Sequence, residues 1–533
     1  MSTVLSDIAK ASARGSFFLF LGNTSSTIIL ALASIVIARL LGPENYGLYT
    51  LAMVAPSFLI ALSDIGISPA LTRFLARFHS ESENRKVAGL IKAGIIFKSV
   101  FSLLISIMLL LLSQTIATWV LKRPSLDLLI RFTALYLVGQ AIFITLDSIF
   151  IGLDKMENSA LLVNIQAITK AVTSSLLVIL GMGAIGAILG AGLGVLLATG
   201  TGIAMLLARI RPNLYGHNHG ENVDFFQGVR LMVPYGMPLY LSTLIISLLT
   251  LYQNFILAQF VSNIEIGNYT IAINFSILVT LVASPMATSL FPAFSKLSVK
   301  KDRNMVDKMF KLSVKYTSLL VIPASFAVAV LSNEAVYTLY GSQYGFAPSY
   351  LALYVLSFLC TGLGMLVVGN FFNGQGDTKT TLRINLVNLG LYTPLVSVMT
   401  FLYSVPGLIA SLIISQFLSA IYALFLARKK YVVTVDFTSS IRIGVAALSS
   451  ALLTYLFLTL VPLFNPVYKL VVGGLLYAIS FLIFAPLTRA VNVSDIVNLR
   501  EIFSEAGPFT PLFNILLNLV EKIQTFLHAD PSR

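Results

Sequence analysis

Apolar runs of about 20 residues recur along almost the whole chain and are separated by short polar segments. A run of that length, wound as an α-helix, crosses a hydrocarbon core of ~30 Å. The pattern therefore predicts an all-α polytopic membrane protein with about fourteen transmembrane helices. The predicted helices lie at residues 16–40, 47–70, 88–112, 128–152, 159–180, 183–208, 232–260, 266–290, 309–331, 350–372, 382–403, 407–427, 441–463 and 467–488.

The chain contains an internal repeat displaced by 220 positions. The stretch ARLLGPENYGLYTLA at residues 38–52 is echoed by AQFVSNIEIGNYTIA at residues 258–272, and Phe74 aligns with Phe294 at the same offset. Each stretch joins the first two helices of a predicted six-helix half. Because six helices separate the copies, both run through the membrane in the same direction, so the repeat is parallel. Shared membrane composition remains an alternative explanation of these identities.

A polar segment rich in Gly and Asn, RIRPNLYGHNHGENVDFFQG at residues 209–228, separates the two halves and is typical of a linker. The tail carries an apolar stripe after Pro511, which predicts an amphipathic helix on the inner membrane surface. The predicted domains are an N-lobe at residues 1–208, a cytoplasmic linker at 209–231, a C-lobe at 232–427, two extra C-terminal helices at 428–490 and a cytoplasmic tail at 491–533.

Composition agrees with the membrane assignment. Hydrophobic residues make up 57% of the chain and charged residues 11%, whereas charged residues make up ~25% of ordinary soluble domains. The net charge of +13 could suggest a nucleic-acid partner. With the N-terminus placed in the cytoplasm, however, most Lys and Arg residues fall on the inner side, and the predicted outer loops hold Arg39, Lys122, Arg123 and Lys469. This bias indicates cytoplasmic termini and a basic inner face that attracts anionic lipids, and it argues against nucleic acid as a partner. We expect the protein to lie in the plasma membrane.

The first repeat copy, followed by SDIGISPALTRFLAR at residues 63–77, resembles the polysaccharide-export flippases of the O-antigen and teichoic-acid type. These belong to the multidrug/oligosaccharidyl-lipid/polysaccharide superfamily, which commonly carries patterns similar to LFPAFSK at 290–296 and GNFFNGQGDTK at 369–379. The resemblance covers residues 10–490. It implies two six-helix lobes around a cavity that opens alternately to each side, and a polyprenyl-linked saccharide moved from the inner to the outer leaflet.

Two lysines lie well inside predicted helices, where a charge costs at least ~2.5–3.5 kcal/mol. Counting residues places Lys98 and Lys170 near the membrane midplane. Each lies on a small or polar helix stripe, so each is predicted to face protein or water rather than lipid. They could hold the phosphate or pyrophosphate of the substrate. Alternatively, they pair with Asp64 or Asp147 and only lock helices together.

Asp64, Asn23, Asn254 and Asn274 complete the candidate substrate-binding residues. Asp64 is also the candidate proton or cation site, because a buried carboxylate changes charge readily with its surroundings. The alternative is that it is a structural partner of Asn23, Arg73 or a lysine. The amides of Asn254 and Asn274 could contact sugar hydroxyls or bond across helices for packing.

The remaining sequence signals argue against enzymatic chemistry. No GxxxxGK[ST] nucleotide loop is present, and His217 and His219 have no neighbouring Cys that would complete a metal site. No cofactor is therefore predicted, apart from a coupling proton or sodium ion. Cation-coupled drug exporters of the same superfamily are the first rival, but they usually have twelve helices. A membrane enzyme acting on lipid-linked sugars is the second rival; it would be expected to carry clustered Arg, His or acids in an outer loop, and residues 332–349 hold one Glu.

The predicted partners follow from this interpretation. A lipid-linked saccharide is the expected substrate, and the glycosyltransferases or the polymerase of the same pathway are candidate protein partners. We expect the protein to be a monomer.

Overall fold

The computed structural model describes residues 2–210, 223–295, 299–461, 465–504, 518 and 520–522. Within these ranges the chain is helical and contains no strand. It forms two compact units, Met1–Gly267 and Asn268–Arg533. The predicted all-α class is confirmed, whereas the predicted lobe boundaries stay a prediction.

In the first unit, the described residues form eight helices and the beginning of a ninth. The eight are α1 (Ser2–Ala52), α2 (Val54–Asp64), α3 (Ile67–Ser80), α4 (Asn84–Thr115), α5 (Leu126–Gly152), α6 (Met156–Leu177), α7 (Gly183–Met205) and α8 (Phe225–Phe260). Helix α9 (Asn263–Ser295) crosses into the second unit.

From α9, the part of the second unit between residues 299 and 504 that the structure describes continues with eight more helices. These are α10 (Val299–Val330), α11 (Ser332–Leu339), α12 (Ala347–Val355), α13 (Met365–Gly374), α14 (Thr378–Tyr431), α15 (Phe437–Leu460), α16 (Pro466–Leu487) and α17 (Val493–Ser504). A 3₁₀ segment, Leu356–Leu363, joins α12 to α13.

Among the described residues, nine helices are long and apolar enough to cross a membrane, or up to ten if the bent pair that ends at Gly374 is one span. The chain is a multi-pass membrane protein. Three of the nine, at residues 18–64, 156–208 and 378–431, are each long enough to hold two of the predicted helices. The count of fourteen stays a prediction.

Each of these three long helical stretches is interrupted where the sequence predicts a short outer connection. Gly42 (φ 73°), Gly181 (φ 87°) and Ser404 (φ 54°) leave the helical region of backbone conformation. Positive φ is readily adopted by glycine, because it has no Cβ. The sequence signal for the first two connections is therefore a glycine rather than a polar loop.

Helix α8 begins earlier than predicted. Helix α8 begins at Phe225, inside the predicted linker, rather than at residue 232. A capping box explains the earlier start: the side chain of Asp224 accepts from the backbone of Gln227, and the side chain of Gln227 accepts from the backbone N–H of Asp224. This exchange satisfies helix-terminal donors that would otherwise lack partners.

The Gly-rich helix α7 packs closely on α6. A Cβ placed on Gly190 would overlap the backbone of Ser174, and one placed on Gly194 would lie 2.9 Å from the backbone nitrogen of Lys170. The hydroxyl of Ser174 donates to the carbonyl of Ala187 at 3.0 Å. Small residues at such positions let helix backbones approach closely.

In the second unit, helix α17 is held by a buried ion pair that the sequence did not predict. Lys315 Nζ lies 2.5 Å from Asp495 Oδ2, and both side chains are at most 10% exposed. Asn498 donates to the Tyr316 hydroxyl at 2.9 Å. The predicted tail helix after Pro511 lies outside the described residues, apart from a few positions near residue 520.

Candidate functional site

The second predicted membrane helix is broken immediately after Asp64. Helix α2 ends at Asp64, Ile65 (φ 43°) and Gly66 (φ 76°) adopt left-handed conformations, and α3 begins at Ile67. A β-branched residue such as Ile65 is strained there, at a cost of roughly 1–2 kcal/mol. Strain of this kind is found preferentially at functional sites, so the break marks a candidate site beside Asp64.

Helix α8 packs directly against this break. A Cβ on Gly66 would overlap the backbone of Gly236, and a Cβ on Gly236 would overlap that of Gly66. Four residues along α8, the hydroxyl of Tyr240 donates to the carbonyl of Leu62 at 3.4 Å. Gly66 is therefore required both for its positive φ and for the close approach of α8.

Lys98 of α4 binds Asp64 at the break. Its Nζ lies 2.7 Å from Asp64 Oδ1, with the lysine side chain fully buried and the aspartate side chain 23% exposed. The hydroxyl of Ser68 donates to the same carboxylate oxygen. This geometry agrees with the alternative in which Lys98 pairs with Asp64 and the pair locks two helices together.

Lys170 of α6 has different surroundings. Its ammonium group lies near the hydroxyls of Tyr49 and Tyr136. Within the described part of the chain, Lys170 forms no ion pair with an Asp or Glu. The other predicted counter-ion, Asp147, accepts instead from the hydroxyl of Ser159.

The neighbours of the two lysines lie at different positions along α1 and α2. Backbone hydrogen bonds continue from α1 into α2 through Met53, so the fifteen residues between Tyr49 and Asp64 span ~22 Å of helix. The partners of Lys170 and Lys98 are separated accordingly. That both lysines lie near the membrane midplane stays a prediction, and a long lysine side chain can extend toward either face.

Helices α5 and α6 join through a series of polar pairs. Ser159 of α6 pairs with Asp147 of α5, and Gln166 of α6 donates to Gln140 of α5 at 2.6 Å. The two pairs are equally far apart along each of these antiparallel helices. One further turn along each helix brings Tyr136 to Lys170. Lys170 therefore ends a polar seam between the two helices.

Among the described residues of the first unit, no hydrogen bond joins Asn23 or Asn254 to either lysine. Asn23 is exposed, and no hydrogen bond joins it to Asp64 within the described residues. Asn254 donates to the carbonyl of Thr250 in its own helix at 2.8 Å. Asn274 belongs to the second unit, where its side chain is partly exposed.

The positions of Tyr49 and Tyr136 beside Lys170 were not predicted from the sequence. Tyr49 lies in the first repeat copy and has the composition of an interfacial aromatic residue. Its ring is buried and stacks on Tyr46 at a centroid distance of 6.0 Å. The sequence carried a signal, since Tyr49 is one of the repeated positions, but its contact with α6 depends on packing.

Comparison with known proteins identifies the family. The family described as "Polysaccharide biosynthesis protein" matches residues 12–298, more than half of the 533-residue chain. The chain belongs to this family. A second family, described as "MatE", matches residues 238–399. The expected resemblance to polysaccharide-export flippases of this superfamily is confirmed.

Two curated relatives of this polysaccharide biosynthesis family member illustrate the similarity. An "Uncharacterized membrane protein in cps region" of Klebsiella pneumoniae is 24% identical over 239 residues, which is 43% of this chain and 48% of the relative. The "Succinoglycan biosynthesis transport protein ExoT" of Rhizobium meliloti is 25% identical over 329 residues, 60% of this chain and 61% of the relative. Both matches span less than two thirds of the relative's length.

The fold of this family member is also that of a solved transporter. A structure described as "Lipid II flippase MurJ, inward closed conformation" superposes with a TM-score of 0.71 at 16% identity, over 88% of this chain and 98% of that one. At this identity the likeness shows a shared fold.

Proposed function

We propose that the protein is a flippase that moves polyprenyl-linked oligosaccharides or polysaccharide repeat units from the inner to the outer leaflet by alternating access. Family membership supports this assignment. So do the similarity to a succinoglycan biosynthesis transport protein and the fold shared with a lipid II flippase. The same comparisons favour transport over an enzyme that acts on lipid-linked sugars.

The observation that carries the proposal is the state of Lys170. A lysine within an apolar helix normally pairs with an acid, because an uncompensated charge there is costly. Lys170 instead lies near the hydroxyls of Tyr49 and Tyr136. In our proposal this charge and the two O–H donors bind the phosphate or pyrophosphate of the lipid-linked saccharide.

Lys98 and Asp64 have a different role in the proposed cycle. Their ion pair lies beside the α2–α3 break and against α8, where a change in either charge would alter helix packing. Asp64 therefore remains our candidate for a coupling proton or sodium ion. Asn23, Asn254 and Asn274 remain candidates for contacts with sugar hydroxyls.

The wider assignment is part of the same proposal. It places the protein in the plasma membrane as a monomer with both termini in the cytoplasm and a basic inner face against anionic lipids. It divides the transport core into lobes at residues 1–208 and 232–427. The glycosyltransferases or polymerase that make or use the lipid-linked saccharide are the proposed protein partners.

Reconstitution tests the proposal. Proteoliposomes would carry a fluorescent polyprenyl-diphosphate saccharide, and the fraction reaching the other leaflet would be scored with a membrane-impermeant quencher. We expect Lys170→Gln to slow leaflet crossing roughly tenfold, the effect of losing ~1.4 kcal/mol of binding to the phosphate in the transition state. Lys155→Gln is the matched control, because Lys155 is exposed next to the beginning of the same helix. Unchanged crossing in Lys170→Gln would refute the phosphate-binding role.

The alternative, a cation-coupled exporter of small molecules, is favoured by one observation, the match of residues 238–399 to the MatE family. The same proteoliposomes distinguish the two functions. A flippase moves the labelled lipid, whereas an exporter accumulates a cationic dye under an imposed proton or sodium gradient. Dye transport without lipid crossing would favour the exporter.

A further inference from the structure

The two copies of the internal repeat meet each other within the first unit. A Cβ on Gly47 would overlap the carbonyl oxygen of Asn263 and lie 3.1 Å from the nitrogen of Gly267. Reciprocally, a Cβ on Gly267 would overlap the carbonyl oxygen of Pro43 and lie 3.2 Å from the nitrogen of Gly47. The contact therefore pairs each repeat position with its own counterpart, since Gly47 matches Gly267 and Pro43 matches Asn263 at the offset of 220.

Close packing, rather than backbone conformation, explains why both repeat copies have a glycine at this position. Neither has a positive φ, so another residue could adopt the same backbone. What excludes a side chain at both positions is the partner backbone. The repeat therefore encodes a close, nearly symmetric contact between the start of α9 and the segment of α1 that follows the break at Gly42.

Arg123 stabilises this contact from a third segment, the connection between α4 and α5. Its Nε donates to Asn263 Oδ1 at 2.5 Å, and its two terminal nitrogens donate to the carbonyls of Ala258 and Val261. These carbonyls lie at the C-terminal end of α8, where backbone acceptors lack intrahelical partners and the helix dipole favours a cation. Gln259 adds a hydrogen bond to the carbonyl of Val120 at 2.5 Å.

The interactions in this contact are of a kind that can break and form again. It consists of backbone contacts and charge-assisted hydrogen bonds at segment ends, and the side chain of Arg123 is partly exposed to solvent. Charge-assisted hydrogen bonds are roughly twice as strong as neutral ones, yet water can replace the arginine at the carbonyls when the segments separate.

We propose that the Gly47–Gly267 contact and the Arg123 hydrogen bonds form an outer latch, which holds the predicted outer end of the first unit closed. The latch must release before the unit can open on that side. This proposal rests on the proposed function for its role in substrate release. The latch itself is a property of the apoprotein and is tested without substrate.

Cysteine accessibility measures the latch directly. The chain has one natural cysteine, so the background is Cys360→Ser, and the reporter is Ile266→Cys, a position that is 2% exposed beside Gly267. A membrane-impermeant maleimide is applied to the purified full-length protein. We expect slow labelling in the background and roughly tenfold faster labelling with Arg123→Gln, as a shift of ~1.4 kcal/mol in the closed–open equilibrium would give.

Two further variants separate latch release from misfolding or simple charge loss. Lys122→Gln removes the neighbouring exposed positive charge and should leave the labelling rate unchanged. Gly267→Ala should speed labelling by a different route, because its methyl group overlaps the carbonyl of Pro43. Faster labelling counts only for variants that elute as a monodisperse peak.

The outcomes distinguish the latch from the proposed function. Equal labelling in the background, Arg123→Gln and Gly267→Ala overturns the latch, and so does rapid labelling of the background. If labelling responds as expected but no lipid-linked saccharide crosses the bilayer, the latch stands and the flippase assignment fails.

Discussion

Lys98 and Lys170 carry the same charge inside apolar helices, but their partners give them different roles. Lys98 is neutralised by a carboxylate that is itself partly exposed, so the pair resembles a structural lock with one hydrated side. Lys170 has tyrosine hydroxyls, which can accept from an ammonium group and still donate to an anion. The difference between the two roles therefore depends on whether the neighbouring oxygens belong to a carboxylate or to hydroxyl groups.

Removing either member of the Lys98–Asp64 pair should destabilise the protein unequally. Asp64→Asn leaves a fully buried lysine without a counter-ion, which costs on the order of 3 kcal/mol. Lys98→Met leaves a carboxylate that is 23% exposed rather than fully buried, so the loss should be smaller. Apparent melting temperatures of the detergent-purified variants measure the difference.

The double variant Asp64→Asn/Lys98→Met is the control for this prediction. It removes both charges, so its melting temperature should lie above that of Asp64→Asn alone. A larger loss in Lys98→Met than in Asp64→Asn would mean that Asp64 is less hydrated than its 23% exposure indicates.

At the scale of the helix, contact between α6 and α7 depends on glycines that have specific neighbours. Gly190 and Gly194 face the α6 backbone, whereas Gly200 of the same helix has nothing near its Cβ position. Sequence spacing suggests that these glycines serve packing, but it does not show which of them touch a neighbour. The structure separates the two kinds.

These glycines offer a matched pair of substitutions in one helix. Gly190→Ala forces a methyl group into the backbone of Ser174 and should lower the apparent melting temperature. Gly200→Ala meets open space and gains helix propensity worth up to ~1 kcal/mol, so it should leave the melting temperature unchanged or raise it. Equal losses in both variants would contradict the assigned packing.

The helices and their order could be predicted because the length and apolarity of each run are properties of the sequence alone. The choice between Asp64 and Asp147 as the partner of Lys98 could not, since depth along a helix is one coordinate and helix rotation is another. The break at Ile65 is a similar case. Glycine at position 66 readily adopts a positive φ, but the left-handed conformation of Ile65 goes against the local preference of a β-branched residue, and it occurs where Gly66 packs closely against Gly236 of α8.

For the whole molecule, the strongest sequence signal is the side on which the basic residues lie. Lys122 precedes α5 on the predicted outer side, and Lys155 precedes α6 on the predicted inner side. In the second unit, Lys379 at the start of α14 is predicted inner, and Tyr468 at the start of α16 is predicted outer. All four side chains are exposed, so each position can report its side of the membrane.

Single-cysteine labelling in intact cells tests this orientation together with the number of spans. In the Cys360→Ser background, Lys122→Cys and Tyr468→Cys should react with a membrane-impermeant maleimide added outside, whereas Lys155→Cys and Lys379→Cys should react only after permeabilisation. The positive-inside rule gives the expected sides. Because each span reverses the side, one extra or missing span between Lys122 and Tyr468 would place those two reporters on opposite faces. Labelling of Lys155→Cys from outside would instead mean that the whole protein has the opposite orientation. The outer latch would then face the cytoplasm.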